Sequence, residues 1–187
     1  MKVDLTVGVS NRHCHLTEDI YKKLFDEELE VKAYLNQPGE FASKQTITIK
    51  TDKAQINNVR VLGPLRKYNQ VEISASDAYL LGINPPVRKS GNLSNSETIT
   101  LINGDKEITL ENACIIANRH IHMSRALSSE LGVVEDQVVK VHVDNAKSGV
   151  MDAYVKITEN GYFEMHIDRD DANAFMLTNG SVVKLEI

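Results

Sequence analysis

The side chains best suited to chemistry in this chain stand in one short phrase that is written twice, as Asn11-Arg12-His13-Cys14-His15 and as Asn118-Arg119-His120-Ile121-His122. In extended backbone, side chains alternate between faces, so His13 and His15 project together, as do His120 and His122. Two imidazoles on one face can ligate one metal ion, and two such pairs suggest two ions. Imidazole is the commonest zinc ligand, and a catalytic zinc takes three protein ligands and keeps one position open. Each pair therefore needs a third ligand. The plainer alternative is two half-buried strands whose polar faces happen to carry histidine. A single pair would favour that alternative. A duplicated five-residue phrase holding four of the six histidines favours metal.

Candidates for the third ligand lie on other strands. Around His166, Phe163, Met165 and Ile167 alternate toward the core, which turns Glu164, His166 and Asp168 to the opposite face. His142, with Lys140 and Asp144 on its face, is equally polar-facing, and the pattern does not choose between them. Glu72 sits in the otherwise apolar Val71-Glu72-Ile73, on an outward face or completing a site. Cys14 lies between two candidate ligands and so points to the other face, as a small core residue. For anions, Arg60, Arg66 and Arg88 each stand near glycine or proline, and guanidinium forks suit phosphate oxygens. Arg12 and Arg119 point away from their histidine pairs by the same alternation.

Other chemistries find no support. There is no His-Glu-x-x-His phrase, no phosphate-cradling P-loop and no dinucleotide glycine fingerprint. A histidine-pair amidohydrolase barrel needs ~250 residues, more than the 187 present. A net charge of −5 and the lack of tryptophan argue against a nucleic-acid-coating surface. Two cysteines imply no disulfide framework and an intracellular setting, and no apolar run approaches a membrane span.

The elements that must position these residues are short. Lys2 to Val9 alternates as a half-buried strand and runs into the first phrase, after which Thr17 caps a short helix. Asp26 to Glu30 is a solvated acidic connection and Gln37 to Glu40 a turn. Strands are expected at 44–50, 54–62 and 68–73, then helical turns at 76–81 stopped by Gly82. Residues 89–96 have the most linker-like composition. A hairpin at 97–110 turns on Asn103-Gly104-Asp105 and leads to the second phrase and a helix at 124–131. Strands at 137–143, 151–157 and 162–167, a helix at 168–177 and a last strand at 181–187 complete the chain. Many short strands with few short helices make an all-β, mainly antiparallel protein, with the repeated phrase hinting at two related β-barrel halves.

Taken together, Ser10-Asn11-Arg12-His13-Cys14-His15-Leu16, Gln37-Pro38-Gly39-Glu40-Phe41-Ala42, Leu62-Gly63-Pro64-Leu65-Arg66 with Gln70-Val71-Glu72-Ile73-Ser74, Ala117 to Ser124, and His166 to Ala174 resemble the phosphate propanoyltransferase family in order and over nearly the whole chain. That resemblance implies an enzyme exchanging an acyl group between coenzyme A and phosphate. It implies two antiparallel barrels, one of residues 1–11 with 95–187 and one of 12–94, with two zinc ions in a cleft between them. By position, His13, His15 and Glu72 would hold one ion and His120, His122 and His166 the other, which decides for His166 over His142. Arg66 would bind phosphate, and Ser10, Arg60, Leu62 and Asn173 would contact coenzyme A. A homodimer is also implied. The first strand starts at Lys2 with no preceding amphipathic segment of the kind that targets relatives to a bacterial microcompartment, so the expectation is a cytoplasmic enzyme of acyl-CoA or acetate metabolism, not an encapsulated one of propanediol degradation. A zinc hydrolase of thioesters or phosphoesters, and a β-barrel module stabilised by structural zinc, are the alternatives.

Overall fold

The apolar alternation of the first strand and the breaks at glycine and proline recur along the whole chain, and the structure, a computed structural model, converts them into two separate cores. It describes residues 1–159 and 161–187. In chain order the elements are β1 (Lys2–Ser10), β2 (His13–His15), α1 (Glu18–Leu24), β3 (Val31–Tyr34), β4 (Phe41–Lys50), β5 (Gln55–Gly63), β6 (Gln70–Glu72), α2 (Ala75–Leu81) and β7 (Val87–Arg88). They continue as β8 (Glu97–Asn103), β9 (Lys106–Ala117), β10 (His120–Ser124), α3 (Arg125–Leu131), β11 (Val138–Val143), β12 (Gly149–Thr158), β13 (Glu164–Asp168), α4 (Arg169–Ala174) and β14 (Val182–Glu186).

One unit consists of Met1–Asn11 and Asn118–Ile187. Its strands close in the order β1-β13-β10-β12-β11-β14. Inside lie Leu5, Val7, Ile121, Met123, Val141, Val155, Met165 and Leu185, all buried. The other unit, Arg12–Ala117, closes as β4-β5-β2-β6-β9-β8, with β3 flanking β4 and β7 flanking β9. Cys14, Leu16, Leu24, Ile49, Val61, Val71, Leu101 and Ile115 fill its core. Burying a Leu, Ile or Val side chain stabilises by roughly 1.5–3 kcal/mol, so two such sets give each barrel its own source of stability. Closure also removes the open strand edges that a flat sheet would expose.

Antiparallel pairing predominates, as expected, but the sheets are mixed. In each unit the strand carrying the histidine phrase pairs antiparallel on one side and parallel on the other: β2 with β6 and β5, β10 with β13 and β12. The division of the chain differs from the expected one. It falls at Ala117/Asn118, not at 94/95, because β8 and β9 hydrogen-bond to β4 and β6 and bury Leu101 and Ile115 in the same core as Cys14. β9 continues well past the expected end at Leu110, through Asn112, whose left-handed backbone (φ 50°) breaks the alternation that would have revealed it. β3, between the expected acidic connection and the expected turn, carries no assignment from sequence; all four of its side chains are exposed, so no buried face marks it. β7 was missed because it is two residues long and follows Pro85-Pro86.

The short helices are well terminated. In α2, Ser74 accepts from the Asp77 backbone N–H while Asp77 accepts from the Ser74 backbone, a reciprocal capping box. Gly82 and Gly132 end α2 and α3 at φ of 68° and 69°, the left-handed conformation that glycine adopts without penalty. Among the described residues, no helix is long and apolar enough to cross a membrane.

Candidate functional site

Strand register, a long-range property, supplies the third member of each histidine set. In the second unit named above, β2 and β6 run antiparallel with His13 opposite Glu72 and His15 opposite Gln70. The His13 Nε2 atom is 3.4 Å from Glu72 Oε2, and His15 Nε2 is 4.0 Å from Glu72 Oε1. Both imidazoles are buried. In the other unit, β10 and β13 repeat the register, with His120 opposite His166 and His122 opposite Glu164. Here His120 Nε2 and His122 Nε2 approach to 3.1 Å. His166 lies edge-on to both rings, at 5.3 and 4.7 Å between centroids.

The chemical state of the second set suits ligation. His120 Nδ1 is 2.8 Å from the Asn118 carbonyl oxygen and donates its hydrogen there, which leaves Nε2 bare and facing its neighbours. His122 is held neutral: burial, then the nearby His120, His166 and Lys156, push its pKa down to about 2. Three imidazoles gathered at one point, with His122 held neutral, are a poor arrangement for protons and a good one for a divalent cation. In each set the possible donor atoms lie within 4.8 Å of one another. A tetrahedral ion bonded at ~2.0–2.1 Å holds its ligands about 3.4 Å apart, so the residues present fit such an ion with small movements.

A second repeated device orients each phrase. Arg12 forms a two-point pair with Asp77, Nε to Oδ2 at 2.9 Å and Nη2 to Oδ1 at 2.7 Å. Arg119 does the same with Asp171, again at 2.9 and 2.7 Å. Each aspartate sits in the first turn of the short helix that follows the third ligand, where a carboxylate also suits the helix dipole. The hydrogen bond to Asp171 raises the Arg119 pKa, ahead of an opposing contribution from burial. So the arginines that point away from the histidines clamp the strand that carries them.

Arg66 is half-buried in the unit that holds the Glu72 set. Its Nη2 donates to both oxygens of Glu40, at 2.8 and 3.0 Å, and its Nη1 to the Tyr68 hydroxyl at 2.8 Å. Arg60 and Leu62 share one face of β5, with Arg60 opposite His13 in register and its guanidinium donating to the Ser43 and Lys44 carbonyls. In the other unit, Ser10 ends β1 opposite Asp168, which caps α4, the helix that carries Asn173. His142 takes no part in the His166 set. It hydrogen-bonds to Glu186 on the adjacent strand, and that bond lowers the Glu186 pKa. Cys14 is fully buried in its core, and burial pushes its thiol up to about 12.

Four functional candidates escaped sequence reasoning. Tyr162 places its hydroxyl 2.8 Å from His166 Nε2 and stacks on the His122 ring. Glu164, buried, brings Oε1 to 3.0 Å from the same nitrogen. Asp77 and Asp171 could have been found from the similarity of Glu72-Ile73-Ser74-x-x-Asp77-Ala78 and His166-Ile167-Asp168-x-x-Asp171-Ala172, which places ligand, cap and clamp at equal spacing.

The all-β scaffold thus draws two duplicated sets of candidate ligands together and clamps the strand of each through an arginine. Residues 6–178 match the family model for phosphate propanoyltransferase. A phosphate propanoyltransferase of Thermotoga maritima is 44% identical over 183 residues, covering 96% of this chain and 87% of its own length. One from Rhodopseudomonas palustris is 41% identical over 184 residues, with 97% and 81% covered. One from Salmonella typhimurium is 42% identical over 173 residues, with 91% and 82% covered. The chain belongs to the phosphate propanoyltransferase family, and with it to the phosphate acyltransferase enzymes.

Proposed function

We propose that this protein is a zinc-dependent phosphate acyltransferase that exchanges a short acyl group, acetyl or propanoyl, between coenzyme A and inorganic phosphate. The observation that supports it most is the pair of ligand sets, His13/His15/Glu72 and His120/His122/His166, each drawn together by strand register in a chain of this family. Those residues would hold two zinc ions. Bound there, zinc would supply positive charge to stabilise a sulfur leaving group and to polarise a carbonyl or phosphate oxygen.

The reaction forms one C–O bond, from a phosphate oxygen to the thioester carbonyl carbon, and breaks one C–S bond, whose electron pair leaves on sulfur. Phosphate and thioester carbonyl oxygen repel as they approach, and Arg66 would hold phosphate and offset that charge. Glu40 and Tyr68 set the orientation of its guanidinium. Ser10, Arg60, Leu62 and Asn173 would contact coenzyme A, in a protein working as a homodimer. A preference between acetyl and propanoyl rests on one methylene, worth ~1–3 kcal/mol in a pocket.

One observation favours a second reading of Arg66: its two-point pair with Glu40 makes it a candidate structural residue. The test is free-thiol release from acetyl-CoA and propanoyl-CoA by zinc-loaded protein, with and without phosphate, for wild type, Arg66→Ala and Arg66→Lys. Phosphate-dependent release in wild type is expected, with the Michaelis constant for phosphate raised in both variants, since an ammonium does not reproduce the planar fork. The expected loss is about 1.5–3 kcal/mol of transition-state stabilisation. Phosphate-independent release would make the protein a hydrolase. Wild-type phosphate kinetics in Arg66→Ala would leave that residue a structural role only.

A further inference from the structure

Ser90 lies in the turn after β7, in the stretch whose composition looks like a linker. Its hydroxyl oxygen is 2.8 Å from Gln70 Nε2 and 3.5 Å from Arg66 Nη1. Gln70 is fully buried on β6, two residues before Glu72, so the two side chains share a face. Its partners determine which way its amide points. The backbone N–H of Gly91 donates to Oε1 at 2.7 Å, which leaves the two hydrogens of Nε2 for Glu72 Oε1 at 2.5 Å and Ser90 Oγ at 2.8 Å. Both amide hydrogens are thereby used. Ser90 Oγ receives hydrogens from Gln70 and, at longer range, from Arg66, so its own hydrogen is directed to neither of them. One Nη1 hydrogen of Arg66 goes to Tyr68 and Nη2 serves Glu40, while the Nη1 hydrogen aimed at Ser90 is weakly held at 3.5 Å, so one oxyanion can take it in place of Ser90 and accept the Ser90 hydrogen as well.

We propose that Ser90 is a phosphate-contacting donor acting beside Arg66, and that Gln70 is the positioning residue that fixes its hydroxyl and ties it to Glu72. The proposal rests on the phosphate acyltransferase reading and adds a second phosphate contact to it. The relay is confined to one unit. The register that places Gln70 opposite His15 places Glu164 opposite His122, and a carboxylate has no amide hydrogens with which to build it. A tetrahedral oxyanion is the ligand it suits: the guanidinium and the hydroxyl can each donate to it, while the buried Gln70 holds the hydroxyl and Glu40 and Tyr68 hold the guanidinium.

Ser90 is only half-buried and on a turn, so its substitution leaves both barrel cores untouched. The experiment compares wild type, Ser90→Ala, Ser90→Thr and Gln70→Met as zinc-loaded protein, measuring the Michaelis constants for phosphate and for acyl-CoA, zinc content, and binding of inorganic phosphate by calorimetry. Ser90→Ala is expected to weaken phosphate in both kinetics and calorimetry by about 10-fold, the scale of one hydrogen bond to a charged group. Its acyl-CoA constant and zinc content should stay as in wild type, and Ser90→Thr, which keeps the hydroxyl, should recover most of the loss. Gln70→Met should weaken phosphate by a few-fold and loosen zinc at the Glu72 set. Unchanged phosphate binding in Ser90→Ala, or an equal loss toward acyl-CoA, overturns the proposal while leaving the Arg66 reading intact. Phosphate-independent thiol release by wild type would overturn both.

Discussion

The two ligand sets share one plan and differ at one residue. In each, an Asn-Arg-His-x-His strand pairs antiparallel with the strand of the third ligand, and the arginine clamps an aspartate in the helix that follows. The third ligand is Glu72 in one set and His166 in the other. That difference changes the charge of the site. Three neutral imidazoles leave a divalent ion with its full charge, whereas two imidazoles and a carboxylate reduce it by one. Zinc held as proposed would therefore be the stronger Lewis acid in the His166 set and the better match for releasing a thiolate in the Glu72 set. Their surroundings differ in the opposite sense: Gln70, a neutral amide, stands next to Glu72, while Glu164, an acid, stands next to His166, so each set has one carboxyl group beside its histidines.

The largest effects should come from the residues in which the sets differ. Glu72→Ala and His166→Ala each remove one of three ligands. Each should lower zinc affinity and acyl transfer by more than ~100-fold, since loss of a mere supporting group around a metal already accounts for 10–100-fold. His142→Ala, on a strand face and paired with Glu186, should change stability by no more than ~0.5 kcal/mol and leave activity alone. Chelator competition and steady-state rates on the three variants distinguish these outcomes. A neutral His166→Ala beside a damaging His142→Ala would show that the second set has been assigned to the wrong strand.

The clamps should give intermediate effects. Asp77→Ala loses both the pair with Arg12 and half of a capping box, and Asp77 is buried, so a loss of about 2–3 kcal/mol is expected. Asp171→Ala leaves the cap of α4 in place, because Asp168 provides it, and Asp171 is the less buried of the two aspartates. About 1 kcal/mol is expected there, after allowing for solvent screening. Urea denaturation of both variants checks the order, and equal losses would mean that the two clamps are not differentiated by burial.

These contrasts also mark what the chain discloses on its own. His13/His15 and His120/His122 are legible because strand alternation is local and the phrase repeats. Glu72 and His166 are not, since only the register of β2 on β6 and of β10 on β13 brings them close, and residue-by-residue pattern leaves His142 equally eligible. The family resemblance settled that choice. The passage between units at Ala117 was hidden for a different reason: β9 crosses a left-handed Asn112 and continues without a clean period, so composition pointed to residues 89–96 instead. In the structure that stretch carries Ser90, a partner of both Gln70 and Arg66.

A minor effect belongs to the residue between the two histidines of each phrase. Cys14 and Ile121 occupy the same position and both are fully buried. With its thiol pushed up to about 12 by burial, Cys14 should resist alkylation by iodoacetamide at pH 8 until the protein is unfolded. Cys14→Val, close in volume, should change stability by less than about 1.5 kcal/mol and retain the zinc of its set. Rapid labelling of folded protein, or loss of that zinc, would mean that the sulfur turns toward the ligands.

The central claim is that each phrase anchors its own ion, and metal analysis of purified protein tests it most directly. Wild type should hold about two zinc ions per chain, as two separate three-ligand sets require. His13→Ala and His120→Ala should hold one each, and the double variant none. A single ion in wild type, or one that persists when either histidine is removed, would contradict it.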